Sequence, residues 1–288
     1  MKKIMFFVAA AFVLVAVGCS KDEVAVNDEV QYITEFKADF AGADTRMAVT
    51  HNPESGLKFS WENGDKLYIY AYEDNKVYAT YEYESTGNFK HISGTAMVAG
   101  KNYFATNQLP IDYPLYFTKD SEGKIKYKMT LGTGGVKNLP LISDIFLADT
   151  NGTIAKMHHT VGVVEIPVKL SSSSSSSSSS TKDQLQLKKF AFNGGIVSGQ
   201  FFATSESPYF MDDTNNNVFS DAWVEEAVTL SKENVTSCFI PVFPGNYASV
   251  YFKYKDIEDS QVTYAAGVNV TVACGKITKL EQINLVLE

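Results

Sequence analysis

The sequence predicts an all-β protein that begins with an export signal. Apolar and polar side chains alternate in short runs through most of the chain, which is the period-two pattern of strands with one buried face. Clusters of Gly, Pro and Asn separate these runs at the spacing typical of β-sandwiches. No stretch of useful length shows helical periodicity, so the pattern favours an all-β sandwich architecture.

The first 18 residues have the features of a secretory signal. Lys2 and Lys3 precede an apolar run, Ile4–Val17, that is shorter than the ~20 residues a membrane-spanning helix needs. Small residues precede Cys19, although Ala16 stands where Leu is commonest, and the segment resembles the lipobox of bacterial lipoproteins. This resemblance implies cleavage after residue 18 and acylation of Cys19. The alternative is a secreted protein in which Cys19 has no such role.

Residues 19–29 are predicted to form a short lipidated tether. Acyl chains contribute ~0.8 kcal/mol for each buried CH₂, so several of them anchor a protein almost permanently in the outer membrane. The segment Lys21-Asp22-Glu23 resembles the signal that directs lipoproteins of Bacteroidales to the outside of that membrane. The leader therefore predicts a lipid-anchored precursor at the cell surface.

The charge balance excludes one class of partner. Of the 25 basic residues, Lys2 and Lys3 leave with the leader, so 23 remain against 33 acidic residues, a balance of −10. A surface of this sign repels phosphate backbones, which argues against nucleic acid binding.

Residues 30–170 are predicted to form an N-terminal β-sandwich. Its first strand is Val30–Phe40, in which Tyr32, Thr34, Phe36, Ala38 and Phe40 share one face. Asn63-Gly64 separates two alternating runs, 57–61 and 67–72, and predicts a hairpin because both turn residues tolerate positive φ. Further strands are predicted at 77–83, 115–117, 124–129, 144–148 and 159–170.

A run of serines, Ser171–Ser180, suggests a domain boundary. Such a run has no side chains that could offset the entropy of ordering, so residues 171–181 are predicted to be a polyserine linker. A long loop within one domain is the alternative, since loop closure costs little more entropy as loops lengthen.

Residues 182–288 are predicted to form a C-terminal β-sandwich. Its strands are predicted at 185–192, 196–203, 227–230, 237–242, 248–255, 262–264, 268–274 and 283–287. Cys238 and Cys274 both lie on these strands, and an exported protein permits a disulfide between them. Two separate buried thiols are the alternative.

Three pieces of the chain, taken in order, resemble the fimbrillin or Mfa-like family of Bacteroidales pilus lipoproteins. The first is Thr45-Arg46 followed by Phe59–Tyr70 (FSWENGDKLYIY), and the second is DIFLA at 144–148 followed by HHTVGVVEI at 158–166. The third is IPVFPGNY at 240–247 with Gly275-Lys276 near the end. With the lipobox, the resemblance covers nearly the whole chain, although the serine run is not part of the family pattern.

The resemblance implies two transthyretin-like β-sandwich domains and assembly into a fimbrium by β-strand exchange. An arginine-specific protease would remove the lipidated leader with the first strand, and a strand of another pilus subunit would fill the vacated site. Arg46 is the only arginine in the chain and follows the first strand, so it is the candidate processing site. The alternative is a loop cation without a function.

The C-terminal pattern bears on the role within such a pilus. Ile283, Leu285 and Leu287 alternate, and a strand that completes its own domain is not free to join another subunit. We therefore expect a tip, accessory or anchor subunit more than a stalk subunit.

No motif indicates an enzyme, a cofactor or a metal site. His158 and His159 are neighbours on a predicted strand and point to opposite faces, so they are not expected to ligate one ion. A dense set of tyrosines suggests an alternative function, a permanently anchored lipoprotein that binds glycan or a host ligand. The set comprises Tyr68, Tyr70, Tyr72, Tyr78, Tyr81 and Tyr83. Tyrosine is also simply a good strand residue.

Overall fold

The structure is a computed structural model that describes residues 30–40, 50–52, 56–58, 60–73, 77–109, 118–119, 122, 125–131, 133, 135–171, 183–203, 209–211, 218–258 and 260–286. These residues form several β-sheets, which confirms the all-β fold class. Helical geometry within these ranges is a 3₁₀ turn at Gly135–Asn138, and no helix there is long and apolar enough to cross a membrane. The predicted signal peptide lies outside them.

The three longest strands lie in the second half of the chain. The first half contains β1 (Tyr32–Ile33), β2 (Glu35–Phe40), β3 (Thr50–Asn52), β4 (Gly56–Lys58), β5 (Lys66–Ala71), β6 (Val77–Glu84), β7 (Asn88–Gly94), β8 (Met97–Val98), β9 (Asn102–Thr106), β10 (Thr118–Lys119), β11 (Ile125–Thr130), β12 (Leu141–Ser143), β13 (Phe146–Leu147), β14 (Ile154–His159) and β15 (Gly162–Ser171). The second half contains β16 (Gln184–Ala203), β17 (Tyr209–Met211), β18 (Val218–Val224), β19 (Val228–Ser231), β20 (Thr236–Val242), β21 (Gly245–Asp256), β22 (Gln261–Val272), β23 (Ile277–Lys279) and β24 (Ile283–Val286).

One sheet of the first half closes on itself, and we call it the ring sheet. Its strand order is β12-β14-β2-β7-β6-β5-β9-β13, and a pairing of Ile142 in β12 with Thr106 in β9 closes the ring, from which β13 extends beyond β9. β2 runs parallel to β14 and antiparallel to β7. The first long strand of the chain is therefore enclosed between two neighbours.

Alternate side chains of the ring sheet meet in one cluster, which we call the first core. Its buried members are Ile33, Phe36, Ala38, Leu67, Ile69, Ala79, Tyr81, Phe89, Met97, Tyr103, Ala105, Leu141, Phe146, Ala148, Ala155 and Met157. Strands of the ring sheet thus bury one face here, as the period-two pattern predicts.

The largest sheet of the second half is built on one long strand. β16 spans 20 residues and pairs with β11, β17, β18, β19 and β21, and β22 continues the sheet from β21. Two separate strands were predicted within this span. The structure joins them, and the expected break between Phe192 and Ile196 is an irregularity in the register against β18.

The strand that precedes the serine run takes its partners from the second half. β15 pairs antiparallel with β20 and parallel with β23 and β24. The sequence analysis assigned residues 30–170 to the N-terminal sandwich, but the hydrogen bonds of β15 connect it to strands after residue 235. The division into two domains at the serine run stays a prediction, and residues 172–181 of the proposed linker lie outside the described ranges.

A second core joins the two halves of the chain. It contains buried side chains of β15, β16, β20, β21, β22 and β24, together with Tyr70 and Phe104 from the ring sheet. β5 therefore has two buried faces, with Leu67 and Ile69 in the first core and Tyr70 in the second.

The turn at Asn63-Gly64 forms, but the hairpin predicted around it does not. Gly64 has a φ of 93°, and its N–H donates to the carbonyl of Tyr83 (3.0 Å). The run before the turn pairs instead as β4 with β3, and β5 after it pairs with β6 and β9. Trp61 explains the difference, because it packs against the first core and does not extend a strand toward the turn.

Candidate functional site

The candidate site is the place that the first strand occupies, and we define the first strand as β1 and β2 together. Its main chain is bonded along its whole length. The N–H of Ala99 donates to the Gln31 carbonyl (2.9 Å), and the N–H of His91 donates to the Thr34 carbonyl (2.9 Å). On the other side, the N–H of Lys37 donates to the Thr153 carbonyl (3.0 Å), beyond which β2 pairs with β14.

The inward face of the first strand carries one large aromatic side chain. Phe36 is 3% exposed and contacts three other rings of the first core. Its ring centroid lies 5.0 Å from that of Tyr81, 5.6 Å from that of Phe89 and 6.1 Å from that of Phe146. Edge-to-face and offset ring pairs at these distances are favourable beyond the area they bury. Phe36 is therefore the main side-chain anchor of the strand.

Two aromatic side chains also bind the main chain of the first strand. The Tyr81 hydroxyl donates to the Ile33 carbonyl and accepts from the N–H of Met97 (3.0 Å), so it bridges β1 and β8. The indole Nε1 of Trp61 donates to the Ala38 carbonyl (2.9 Å). Burial raises the pKa of Tyr81 to about 12, so the hydroxyl keeps its proton and remains a donor at neutral pH.

The outward face of the first strand is polar. Glu35, Lys37 and Asp39 are exposed, and Glu35 lies 3.7 Å from the Lys90 ammonium. Exposed ion pairs contribute little to stability, since water screens them. The burial of Phe36 and the main-chain bonds therefore hold the strand in place.

The alternation predicted for the first strand is wrong in its first part. Phe36 and Ala38 point inward as expected, but Tyr32 is 55% exposed while Ile33 is buried. The phase shifts by one residue at Thr34, where the chain leaves its pairing with β8 and enters the ring sheet. A change of partner therefore interrupts the pattern.

We call the site that holds this strand the first-strand groove. It consists of the facing edges of β7, β8 and β14 and the side chains of Trp61, Tyr81, Phe89 and Phe146. Trp61 was not predicted to be a functional residue, and Tyr81 was predicted only as one of the tyrosines of the alternative ligand-binding face. Trp61 lies within the piece FSWENGDKLYIY that carries the family resemblance, but only the fold places its indole next to β2.

The structure describes two of the four predicted site residues. Cys19 and Arg46 lie outside the described ranges, so lipidation and processing at these positions stay predictions. Cys238 and Cys274 are both free thiols. Cys238 pairs with Ile166 of β15, whereas the Cys274 Sγ lies 3.6 Å from the Thr160 carbonyl.

The two cysteines contact different parts of the chain, since Cys238 lies opposite β15 whereas Thr160, the partner of Cys274, lies in the bend before that strand. A disulfide between Cys238 and Cys274 stays a prediction, as does the alternative of two separate thiols. Burial also raises the pKa of the Cys238 thiol, which keeps it protonated and unreactive.

The two neighbouring histidines occupy different environments. His158 lies 2.8 Å from the Asp144 carboxylate, while His159 is buried and stacks on Phe40 with ring centroids 5.9 Å apart. Burial, with a smaller effect of His158, lowers the pKa of His159 to about 4. The parts of the chain that the structure describes contain no group of three or more His, Cys, Asp or Glu side chains that could hold a metal ion.

The six tyrosines of the proposed glycan face lie in the two cores or pack against them. Tyr70 and Tyr81 are fully buried, and the other four are partly buried. Tyr68 and Tyr72 pack against the second core, while Tyr78 and Tyr83 pack against the first. They point to two opposite sides of the sheet and so do not form one exposed stacking surface.

Three solved structures of Bacteroides proteins are similar to this chain to different degrees. One is a candidate cell adhesion protein from Bacteroides ovatus, with a TM-score of 0.52 and 11% identity over 86% of this chain and 92% of that chain. Another, from Bacteroides uniformis, has a TM-score of 0.48 and 11% identity over 87% and 93% of the two chains. A fimbrial protein from Bacteroides ovatus has a TM-score of 0.36 and 10% identity over 90% of this chain and 51% of its own.

In sequence, no protein-family model and no curated protein matches the chain. The first structural likeness shows that this chain has the fold of a Bacteroides protein assigned to cell adhesion. The resemblance found in the sequence is therefore confirmed at the level of the fold.

Proposed function

We propose that the protein is a fimbrillin-like cell-surface lipoprotein that serves as a structural or adhesive pilus subunit and assembles by β-strand exchange after cleavage following Arg46. The observation that carries this proposal is the place of the first strand. Its longer part, β2, lies between β14 and β7 in the ring sheet, and the only arginine of the sequence follows it after a few residues.

Loss of the first strand would create a binding site for another strand. β7 and β14 would each have an unpaired edge, and the neighbours of Phe36 in the first core would face water. An extended segment of another subunit can restore both the main-chain bonds and the apolar contacts, which is β-augmentation. Cleavage thus converts a closed precursor into an assembly-competent subunit.

The same cut separates the protein from its lipid. Acylated Cys19 and the tether 19–29 precede the first strand, so they leave with it. The precursor is then the outer-membrane form, and the processed chain is held at the surface by its partners in the fimbrium. No step in this scheme requires an enzyme activity or a cofactor of the protein itself.

A tip, accessory or anchor role accords with the place of the last described strand. β24 pairs with β15 inside its own sheet, and Leu285 is fully buried in the second core. This strand already has a structural role in its own subunit, so its release would destabilise the subunit that donated it.

The experiment compares the full chain with Arg46→Ala and Arg46→Lys variants, each produced in cells that carry the other pilus subunits and treated with an arginine-specific protease. Arg46→Lys is the matched control, because it keeps the charge but removes the recognised residue. We expect the native chain to lose its N-terminal segment and to join other subunits in complexes visible on unboiled denaturing gels, and both variants to do neither.

The mass of the N-terminal peptide from cells distinguishes the alternatives. A mature N-terminus that stays at Cys19, together with complexes that do not depend on Arg46, contradicts the proposal. That result would favour a permanently anchored lipoprotein that binds glycan or a host ligand, and a glycan array would then be the next measurement.

A further inference from the structure

We propose that the first-strand groove selects its incoming strand by side-chain size, requiring an aromatic residue in the place of Phe36 and a small residue in the place of Ala38. It therefore takes a strand from a different subunit and excludes the C-terminal strand of a second copy of this chain. This inference rests on the proposed function, because it concerns the partner in strand exchange.

The space that Phe36 occupies fits an aromatic ring. Three aromatic side chains surround it with centroids 5.0 to 6.1 Å away, and they come from β6, β7 and β13. These neighbours belong to the groove and remain when the first strand leaves. An aliphatic side chain fills less of this space and loses the ring contacts, so an aromatic residue fits best.

The place of Ala38 accepts only a small side chain. Ala38 is 6% exposed and is in register with Ala155 of β14, which is fully buried. Phe36 and Phe40 flank it on the same face of β2, and the Trp61 indole is bonded to its carbonyl. A branched aliphatic side chain inserted here would overpack the first core.

The chain's own C-terminal strand lacks this pattern. Ile283, Leu285 and Leu287 alternate without a small residue among them. Every register that turns these three side chains inward across the groove places Ile or Leu in the space of Ala38. The groove thus disfavours self-assembly through β24 and favours a strand with the order aromatic, small, aromatic at alternate positions.

In this groove, bonds to the main chain of the incoming strand provide affinity, and contacts with its side chains provide selectivity. Tyr81 and Trp61 bind carbonyl groups, which every strand carries, and so they stabilise any incoming segment of the right direction. The contacts of the inward side chains, chiefly those in the places of Phe36 and Ala38, depend on the partner's sequence. Tyr81 is thus a positioning residue for the partner's main chain.

The test uses the full chain, cut after Arg46 by an arginine-specific protease, and fluorescent peptides that displace the cut segment. The probes are a peptide of residues 30–40, the same peptide with Ala38→Leu or with Phe36→Ala, and a peptide of residues 278–288 of equal length. We expect the 30–40 peptide to bind, both substituted peptides to bind at least tenfold more weakly, and the 278–288 peptide to fail.

Each outcome decides one point. Equal binding of the native and Ala38→Leu peptides overturns the size selection, and binding of the 278–288 peptide overturns the exclusion of a second copy. If the cut chain takes up none of the peptides, strand exchange itself fails and the proposed function falls with the inference. A Tyr81→Phe variant should weaken all bound peptides alike, roughly fivefold, and a change in their ratio would contradict its main-chain role.

Discussion

Truncation of Phe36 tests how strongly the first strand is attached to the protein. Phe36→Ala removes the side chain that is 3% exposed and contacts three rings, and it leaves the main-chain bonds of β2 in place. Lys37→Ala on the exposed face of the same strand is the matched control. Phe40→Ala is an intermediate case, because Phe40 is partly buried and stacks on Trp61 at 4.9 Å.

The burial of each side chain determines how much stability the three variants are expected to lose. Deletion of a buried Phe side chain costs about 3 to 5 kcal/mol, since the contacts are lost and a cavity remains. For a chain of this length, that corresponds to a fall in Tm of roughly 10 °C. Phe40→Ala should cost about 1 to 2 kcal/mol, because only part of its area is buried. Lys37→Ala should stay within about 0.5 kcal/mol.

The assay is thermal and urea unfolding of the uncut protein, followed by circular dichroism and tryptophan fluorescence. The order expected for the loss of stability is Phe36→Ala, then Phe40→Ala, then Lys37→Ala. If Phe36→Ala changes stability no more than Lys37→Ala does, the first strand is not integrated in the first core, and the reasoning about the groove is refuted.

Three further predictions concern other parts of the fold. The pKa of His159 is about 4 in the folded protein and about 6.5 in the unfolded chain, so the free energy of unfolding should fall by about 3 kcal/mol as pH drops from 6.5 to 4. In His159→Phe, urea unfolding at several pH values should no longer show this part of the decrease. Gly94→Ala should lower the free energy of unfolding by more than about 2 kcal/mol, because the added Cβ would collide with backbone atoms. Gly64→Ala has open space around the added Cβ and should cost about 1 kcal/mol, so thermal unfolding should show the smaller fall in Tm for this variant. Leu285→Ala should cost about 2 to 5 kcal/mol and exposed Val286→Ala under about 1 in urea unfolding; equal effects would show that β24 is not packed in the second core.

The fold class could be predicted from the sequence because strand alternation is a local property. Phe36 and Ala38 lie on the buried face as their spacing indicates, and a turn forms at Asn63-Gly64. Strand pairing could not be predicted in the same way, since it depends on residues far apart in sequence. Trp61 shows this, because its side chain ends the run before the Asn63-Gly64 turn but is bonded to Ala38, 23 residues earlier in the chain.

The candidate site was predicted only in outline. The sequence indicates that the first strand has a face to bury, but it does not indicate that β14 and β7 lie on either side. The tyrosine pattern was ambiguous for a related reason. Tyr68 and Tyr81 look alike in sequence, yet one packs on the second core and the other on the first.

The enclosed position of β2 also determines when it can form during folding. β2 is among the first residues after the leader, but β14 begins only at Ile154, so the whole stretch 41–153 must be made before β2 has both neighbours. Contacts so distant in sequence form slowly, because the loop between them must close first. Insertion of β2 is then a late event, and its departure retraces that event. In the proposed scheme, the height of this barrier would set how long a cut subunit keeps its old strand, so the ring sheet would delay assembly after proteolysis.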